Sequence, residues 1–367
     1  GVQTCALPIC NNNSRPDLQI EWDNNGDGIP DTYFLVQNPL RLKETLKRAL
    51  ETVVERTASA GNVTSNSTSF ASDSLVFQSI FNTVNWSGDL IAYPITASGI
   101  SPTLSWKASD HVPIPATRKL FTRSGGSAVP FLWSNLSSSD QGLLGSSSIV
   151  DYLRGERSQE QQFGGTLRNR ASQNVLGDII HSSPYYVKET DTVYVGANDG
   201  MLHAFNASNG EELFAYIPSA LIPKLKNLSQ PNYTHDYFVD GDIVVSNRSQ
   251  TGGNYLVATL GHGGKGLFGL DVTNPNGFST SDVKWECFNS GGTVAACNGD
   301  PDLGYMLGRP VIAKMNNGVW AVIVGNGYNS TSGKAVLYIF DLATGGVIKK
   351  IDTGVAGDNG LAAPAVV

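Results

Sequence analysis

The sequence predicts a mainly β protein whose C-terminal half is a row of β-propeller blades, an incomplete ring, preceded by a calcium loop, one helix and a small β region. Three observations predict it. Residues 192–218 read as a meander: Val193 to Ala197 is an apolar, β-favouring run, Asp199-Gly200 suits a tight hairpin turn, Met201 to Asn206 returns, Asn209-Gly210 turns again, and Leu213 to Ile217 is closed by Pro218. A single meander cannot bury both faces and needs copies stacked beside it. The copies are present. Ala204-Phe205-Asn206-Ala207-Ser208-Asn209-Gly210 recurs as Ile339-Phe340-Asp341-Leu342-Ala343-Thr344-Gly345, and more loosely as Gly269-Leu270-Asp271-Val272-Thr273-Asn274. Finally, 40 glycines and only 16% charged residues in 367 positions suit turn-rich β structure outside the cytoplasm.

The repeat has further marks. Tyr194-Val195-Gly196, Thr259-Leu260-Gly261 and Ile323-Val324-Gly325 each end a strand at glycine. Blade openings recur at Ser183-Pro184, Gly241-Asp242-Ile243, Arg309-Pro310 and Ala363-Pro364, roughly 55 to 65 residues apart. These give three complete blades and the first strand of a fourth, over residues 176–367, with the chain expected to stop partway round its ring. The absence of an initial Met and of a visible signal peptide predicts a fragment at both ends.

Taken from its start, the chain opens with residues 1–10, including Cys5 and Cys10, which fit nothing that follows and read as translated adapter sequence. Residues 11–69 hold a calcium loop, a helix and a polar linker. In Asp23-Asn24-Asn25-Gly26-Asp27-Gly28-Ile29-Pro30-Asp31, oxygen side chains fall at loop positions 1, 3, 5 and 9, with glycine at 6. A hard cation wants six to eight oxygens, so Asp23, Asn25, Asp27 and Asp31, with the Ile29 carbonyl, are the candidate ligands for calcium. Position 12 is Phe34, so the bidentate Glu of an EF-hand is missing. The bland alternative is an Asx-rich turn before a helix. Asn38-Pro39 caps that helix, with Leu42, Leu46, Ala49, Leu50 and Val53 on one face.

Residues 70–175 read as a small β and irregular region, with strands at Leu75–Phe81, Asp89–Tyr93 and Thr103–Lys107. Their later arginines, Arg154, Arg157, Arg168 and Arg170, are expected to pair with carboxylates and carbonyls. Within the repeats, Cys287 and Cys297 form either a loop-closing disulfide, favoured in an oxidising compartment, or two unpaired thiols. His203 reads as a packed core residue, and the glycine-rich run Gly261–Gly266 as a hairpin loop rather than a phosphate cradle. Asp236, Asp240 and Asp242 are a weak candidate for a second cation. A net charge of -7 with no basic run gives nucleic-acid binding no electrostatic support, and no apolar run approaches the length of a membrane helix.

The blades resemble quinoprotein alcohol dehydrogenase-like repeats. A longer series of motifs is more specific: Asp27-Gly28-Ile29-Pro30-Asp31 with Asn38-Pro39, Trp86-Ser87-Gly88-Asp89-Leu90, Asp151-Tyr152-Leu153-Arg154-Gly155-Glu156, Leu176-Gly177-Asp178-Ile179 and Ser182-Ser183-Pro184. In order and spacing these resemble the PilY/PilC family of type IV pilus biogenesis factors and tip adhesins. The resemblance implies a non-enzymatic protein of the outer membrane, cell surface or pilus tip, exported through the periplasm. It implies pilins or minor pilins as partners, host-cell receptors as further ones, and roles in assembly, retraction control and adhesion. It also implies a propeller calcium loop beyond Val367. The alternative is a quinone-dependent dehydrogenase, since the repeat is shared; the adjacent Cys-Cys pair that many such enzymes place over the quinone is missing.

Overall fold

The computed structural model describes residues 59–65, 74–96, 99–171, 173–355 and 357–366. The calcium loop at Asp23–Asp31, the helix expected from Asn38, and Cys5 and Cys10 lie outside the described residues. Ser59–Val367 forms one compact unit, built on four sheets.

The first sheet comprises β1 (Ser59–Ser65), β2 (Leu75–Asn82), β3 (Ser87–Thr96), β4 (Gly99–Ile100) and β5 (Trp106–Lys107), with both β4 and β5 on β3. The second begins with β6 (Leu120–Ser124) and β7 (Ser127–Pro130), and continues with β8 (Tyr185–Val187), β9 (Thr192–Gly196), β10 (Leu202–Asn206) and β11 (Glu212–Ile217). The third holds β12 (Ile243–Val245), β13 (Tyr255–Thr259), β14 (Gly266–Asp271), β15 (Val283–Phe288) and β16 (Gly291–Gly292). The fourth holds β17 (Val311–Lys314), β18 (Trp320–Gly325), β19 (Val336–Asp341) and β20 (Val347–Asp352). Each of the last three contains the four-stranded antiparallel meander read from the repeats. Where the opening of a further blade was expected, residues 361–366 form no strand; Leu361 makes a single bridge to Gly327.

Strand composition explains the burial. All five residues of β9 are buried, as are Leu202 to Phe205 of β10, because both faces of these apolar, β-branched and aromatic runs meet a neighbouring layer. One core lies between the first and second sheets, with Phe77, Leu90, Trp106, Val193, Val195 and Phe205. Another lies between the third and fourth, with Val257, Leu267, Trp285, Val324, Tyr338 and Phe340. The largest joins the second sheet to the third and to the helices at Ser138–Leu144 and Ser147–Leu153.

The two closer copies of the apolar-Asp/Asn-turn motif have a packing reason. Trp106 donates its indole N–H to the carbonyl of Ala207 at 2.9 Å, and Trp285 donates to Leu342 at 3.0 Å. Ala207 and Leu342 occupy equivalent motif positions, and the motif glycines face the rings. A Cβ on Gly210 would lie 2.7 Å from the Trp106 ring, and one on Gly345 would lie 2.4 Å from the Trp285 ring; both glycines have positive φ (77° and 68°). The first sheet is therefore docked on the second as the third is on the fourth.

Within residues 70–175, expected as a region by themselves, the described residues are continuous with the repeats. Strand β6 pairs in parallel with β11, Leu120 opposite Ala215, and so extends the second sheet. The arginines of this region act as anticipated. Arg154 donates to the carbonyls of Phe131, Pro115 and Arg118. Arg157 and Arg170 both hold buried Glu160, and Arg168 reaches the Asn85 carbonyl while stacking over Tyr233 at 4.2 Å. Arg118 pairs with Glu212 of β11 through two bonds of 2.5 and 2.8 Å. Glu212 in turn meets His203 Nδ1 at 2.8 Å, whose Nε2 lies 3.2 Å from Asp199. Burial alone would lower His203, but Asp199 and Glu212 outweigh it and hold the imidazole up to about 9. Burial would raise Glu212, but Arg118 and His203 hold it down to about 2. His203 is thus a core residue, in a buried ion network that ties the region before the repeats to the first blade.

Candidate functional site

The segments that open successive blades pass over the turns of the preceding sheet, and side-chain amides fasten them there. Asn198, just after β9, donates to the Asp178 carboxylate at 2.7 Å and accepts from the Phe238 amide at 2.9 Å. Asn326, just after β18, does the same between residues 302 and 361: it donates to the Asp302 carbonyl at 2.8 Å and accepts from the Leu361 amide at 3.0 Å. Each Asn stands at a strand end where the backbone has left the sheet, so its amide supplies the bonds that the ladder no longer provides.

This fastening lines up aromatic rings along the openings. Trp86, in the turn between β2 and β3 and with φ of 54°, stacks on His235 at 3.8 Å. His235 meets Tyr237 at 5.0 Å, Tyr237 meets His262 at 5.0 Å and His181 at 5.6 Å, and His262 faces Tyr328 at 6.3 Å. Tyr328 is 44% exposed and the other rings are partly exposed. Residues from all four sheets thus contribute to one half-buried band of rings. Burial pushes the Tyr237 hydroxyl up, helped by Asp240 and Asp178. Beside Trp86 a cleft is lined by Tyr152, Arg168, Asn174 and Tyr233.

Two carboxylates lie beneath the band. Asp178 accepts from His235 Nε2 at 2.8 Å. Asp240 Oδ2 is 2.7 Å from His181 Nδ1 and 2.8 Å from His262 Nδ1. A Cβ on Gly263 would lie 1.6 Å from the Phe238 carbonyl oxygen, so glycine there lets the loop lie flat against the 235–242 segment and sets His262 beside Asp240. Asp236, Asp240 and Asp242 do not act as one set: Asp236 pairs with Lys224 at 3.1 Å, and Asp242, raised by burial, lies by Arg309. The run Gly261–Gly266 forms the loop between β13 and β14 and the first residue of β14, as its composition predicts, but its histidine joins the band. The sequence signals missed this because they sought ligand spacing within one helix, whereas these side chains come from separate loops. Asp23, Asn25, Asp27, Ile29 and Asp31 lie outside the described residues. Cys287 and Cys297 are joined in a disulfide, both fully buried.

Residues 176–367 match the family model described as the PilY1 beta-propeller domain. The type IV pilus biogenesis factor PilY1 of Pseudomonas aeruginosa (strain UCBPP-PA14) is 34% identical over 424 residues, which cover 98% of this chain and 35% of that protein. A PilY1 homolog of Xylella fastidiosa is 34% identical over 372 residues, covering 90% and 29%. The chain spans about a third of the length of these curated relatives. Among solved structures, the Pseudomonas aeruginosa PilY1 C-terminal domain is 40% identical over 49% of this chain and 34% of its own, with a TM-score of 0.38. The quinohemoprotein alcohol dehydrogenase of Comamonas testosteroni is 10% identical, covering 79% and 46%, with a TM-score of 0.35.

Proposed function

Because this chain belongs to the PilY1 family of type IV pilus biogenesis factors, we propose that it acts by binding, without turnover, in a protein that supports pilus assembly, controls retraction and mediates surface adhesion. The observation that carries this reading is the alignment of 98% of the chain with a PilY1 at 34% identity. The geometry supports a binding role. A rigid stack of sheets presents a band of Trp, Tyr and His rings, side chains that anchor protein partners at low entropic cost. Pilins or minor pilins of the type IV pilus are the proposed partners, with host-cell surface receptors for adhesion.

The proposed location is the outer membrane, cell surface or pilus tip, reached through the periplasm. The buried Cys287–Cys297 disulfide suits that oxidising route. Among the described residues no helix is long and apolar enough to cross a membrane. Calcium held by Asp23, Asn25, Asp27, Asp31 and the Ile29 carbonyl is the proposed ion, in a structural or regulatory role.

Deleting the gene in its host should abolish surface pili and twitching. The wild-type gene should restore both, and Asp27→Ala should restore pili without normal retraction. Normal piliation in the deletion strain, together with alcohol oxidation by the quinone-reconstituted full-length protein, would overturn the reading in favour of an enzyme.

A further inference from the structure

The geometry points to a second metal site, for a divalent transition metal of the zinc class, formed by His181, Asp240 and His262. One ligand atom from each of these side chains lies within 4.8 Å of the others. They come from separate segments. His181 precedes β8 in the opening of the first blade, Asp240 precedes β12 in the opening of the second, and His262 lies in the loop between β13 and β14.

Three observations carry the inference. Asp240 is 2% exposed, and its ion-pair partners among the described residues are these two imidazoles. Its Oδ1 also accepts from the His181 amide at 3.3 Å, so the carboxylate is held in place with Oδ2 turned to both imidazole nitrogens, where a divalent cation would meet all three ligands. The donor set then selects the cation. Two imidazole nitrogens and one carboxylate suit zinc and its neighbours, whereas calcium takes oxygen ligands. Three protein ligands leave a fourth position open, as in zinc sites that accept water or an external ligand.

The geometry needs only a small adjustment. Nδ1 of His181 and of His262 stand 2.7 and 2.8 Å from the shared Oδ2. A tetrahedral site with ligand bonds of about 2.0–2.1 Å has edges of about 3.3 Å. Each ring must therefore move outward by roughly half an ångström, and each imidazole must carry its proton on Nε2 so that Nδ1 offers its lone pair to the metal. The side chains of His181 and His262 are 46% and 27% exposed, so both rings have room to move. Asp240 is fixed at its backbone, its amide donating to the Leu260 carbonyl at 3.2 Å. The ring of Tyr237 lies 5.6 Å from His181 and 5.0 Å from His262, and that of Tyr328 lies 6.3 Å from His262. The metal would clamp the opening of the first blade to the second and present its open position in the aromatic band.

The test uses the full 367-residue chain carrying Cys5→Ser and Cys10→Ser, so that the leading thiols cannot bind metal, in buffer with excess calcium to fill oxygen sites. Zinc competition against a chromogenic chelator should show one equivalent bound, and cobalt should give the visible absorption of a four-coordinate nitrogen and oxygen site. His181→Gln and His262→Gln should each weaken zinc at least tenfold, and the double variant should lose the equivalent and the absorption. Zinc should raise the Tm of the chain with both histidines, reversibly with chelator. An unshifted Tm, or a double variant that binds zinc as tightly as its parent, would overturn the proposal. Because the Tm arm needs no histidine variant, the proposal stays testable even if one fails to fold.

Discussion

Trp106 and Trp285 fasten two seams with one device: an indole wedged over a glycine and bonded to an equivalent carbonyl of the next sheet. What surrounds them differs. Trp285 sits in β15, a six-residue strand, beside a disulfide that closes at Cys287. Trp106 sits in β5, a two-residue strand, beside Asp89, a buried carboxylate whose Oδ2 has no hydrogen-bond donor among the described residues. The docking device is a property of the repeat, while its reinforcement belongs to each seam. The first sheet, held by a short strand and carrying an underpaired charge, should therefore separate more easily than the fourth.

The largest effect should come from removing each ring. Trp285→Ala and Trp106→Ala delete large buried side chains together with an indole bond, a change that costs about 3–5 kcal/mol. Trp285, 1% exposed, should give the larger loss; Trp106 is 5% exposed. The consequences should also differ in kind. Trp106→Ala should release the first sheet in a separate early step, visible as hydrogen exchange confined to residues 75–107. Trp285→Ala should open the third and fourth sheets together. Equal exchange across all four sheets in both variants would show that the seams are not independent units.

The repeats were readable because their turn chemistry is local. Asn209-Gly210 and Thr344-Gly345 announce two turns, and the apolar runs before them announce strands. What those turns receive was not readable, since the docking tryptophans stand 101 and 57 positions from the carbonyls they bond. The same limit hid the parallel pairing of β6 with β11, which joins strands across a long crossover and leaves no periodic trace in either. It also hid the band of rings. Trp86, Tyr237 and His262 lie in three separate loops, and only the way one opening lies over the next turn brings them into line. His203 could be read as core because it lies within an apolar strand, but Arg118, which pairs with the same Glu212 that His203 meets, lies in a region with no visible link to it. The cysteine pair was legible only as a choice between two states, a loop-closing disulfide or two free thiols, and the structure shows the bridge.

The disulfide offers a finer cut at the comparison. A bridge closing a loop of this length stabilises by about 2–3 kcal/mol in the chain-entropy model. Replacing both Cys287 and Cys297 with Ala should lower the stability of the third and fourth sheets by at least that amount and leave the exchange of the first sheet unchanged. Hydrogen exchange read sheet by sheet checks this. A loss of similar size in residues 75–107 would mean that the bridge supports the whole stack rather than one seam.

The smallest effect, and the one that isolates the weakness of the first seam, is its dependence on pH through Asp89. Burial pushes this carboxyl up to about 6, only partly offset by bonds from Ser109 and by Lys107 at 3.8 Å. The unfolded carboxyl titrates at its ordinary value of 3.8, so between 3.8 and about 6 the folded chain holds the proton more tightly than the unfolded one. A raised folded value means that the stabilisation is fully present below 3.8 and is lost as pH rises through about 6. Above that, the ionised carboxylate costs the first sheet at most about 3 kcal/mol, less whatever local relaxation recovers. Asp89→Asn keeps the shape and the acceptor for the Leu90 and Ser109 amides but cannot ionise. Exchange of residues 75–107 should therefore quicken in the wild type between pH 4 and pH 7, after correction for intrinsic rates, and stay level in the variant. The fourth sheet should show no such difference between the two proteins. If wild type and Asp89→Asn follow the same pH course in the first sheet, the buried carboxylate is not what weakens this seam, and the two-residue strand β5 alone must account for it.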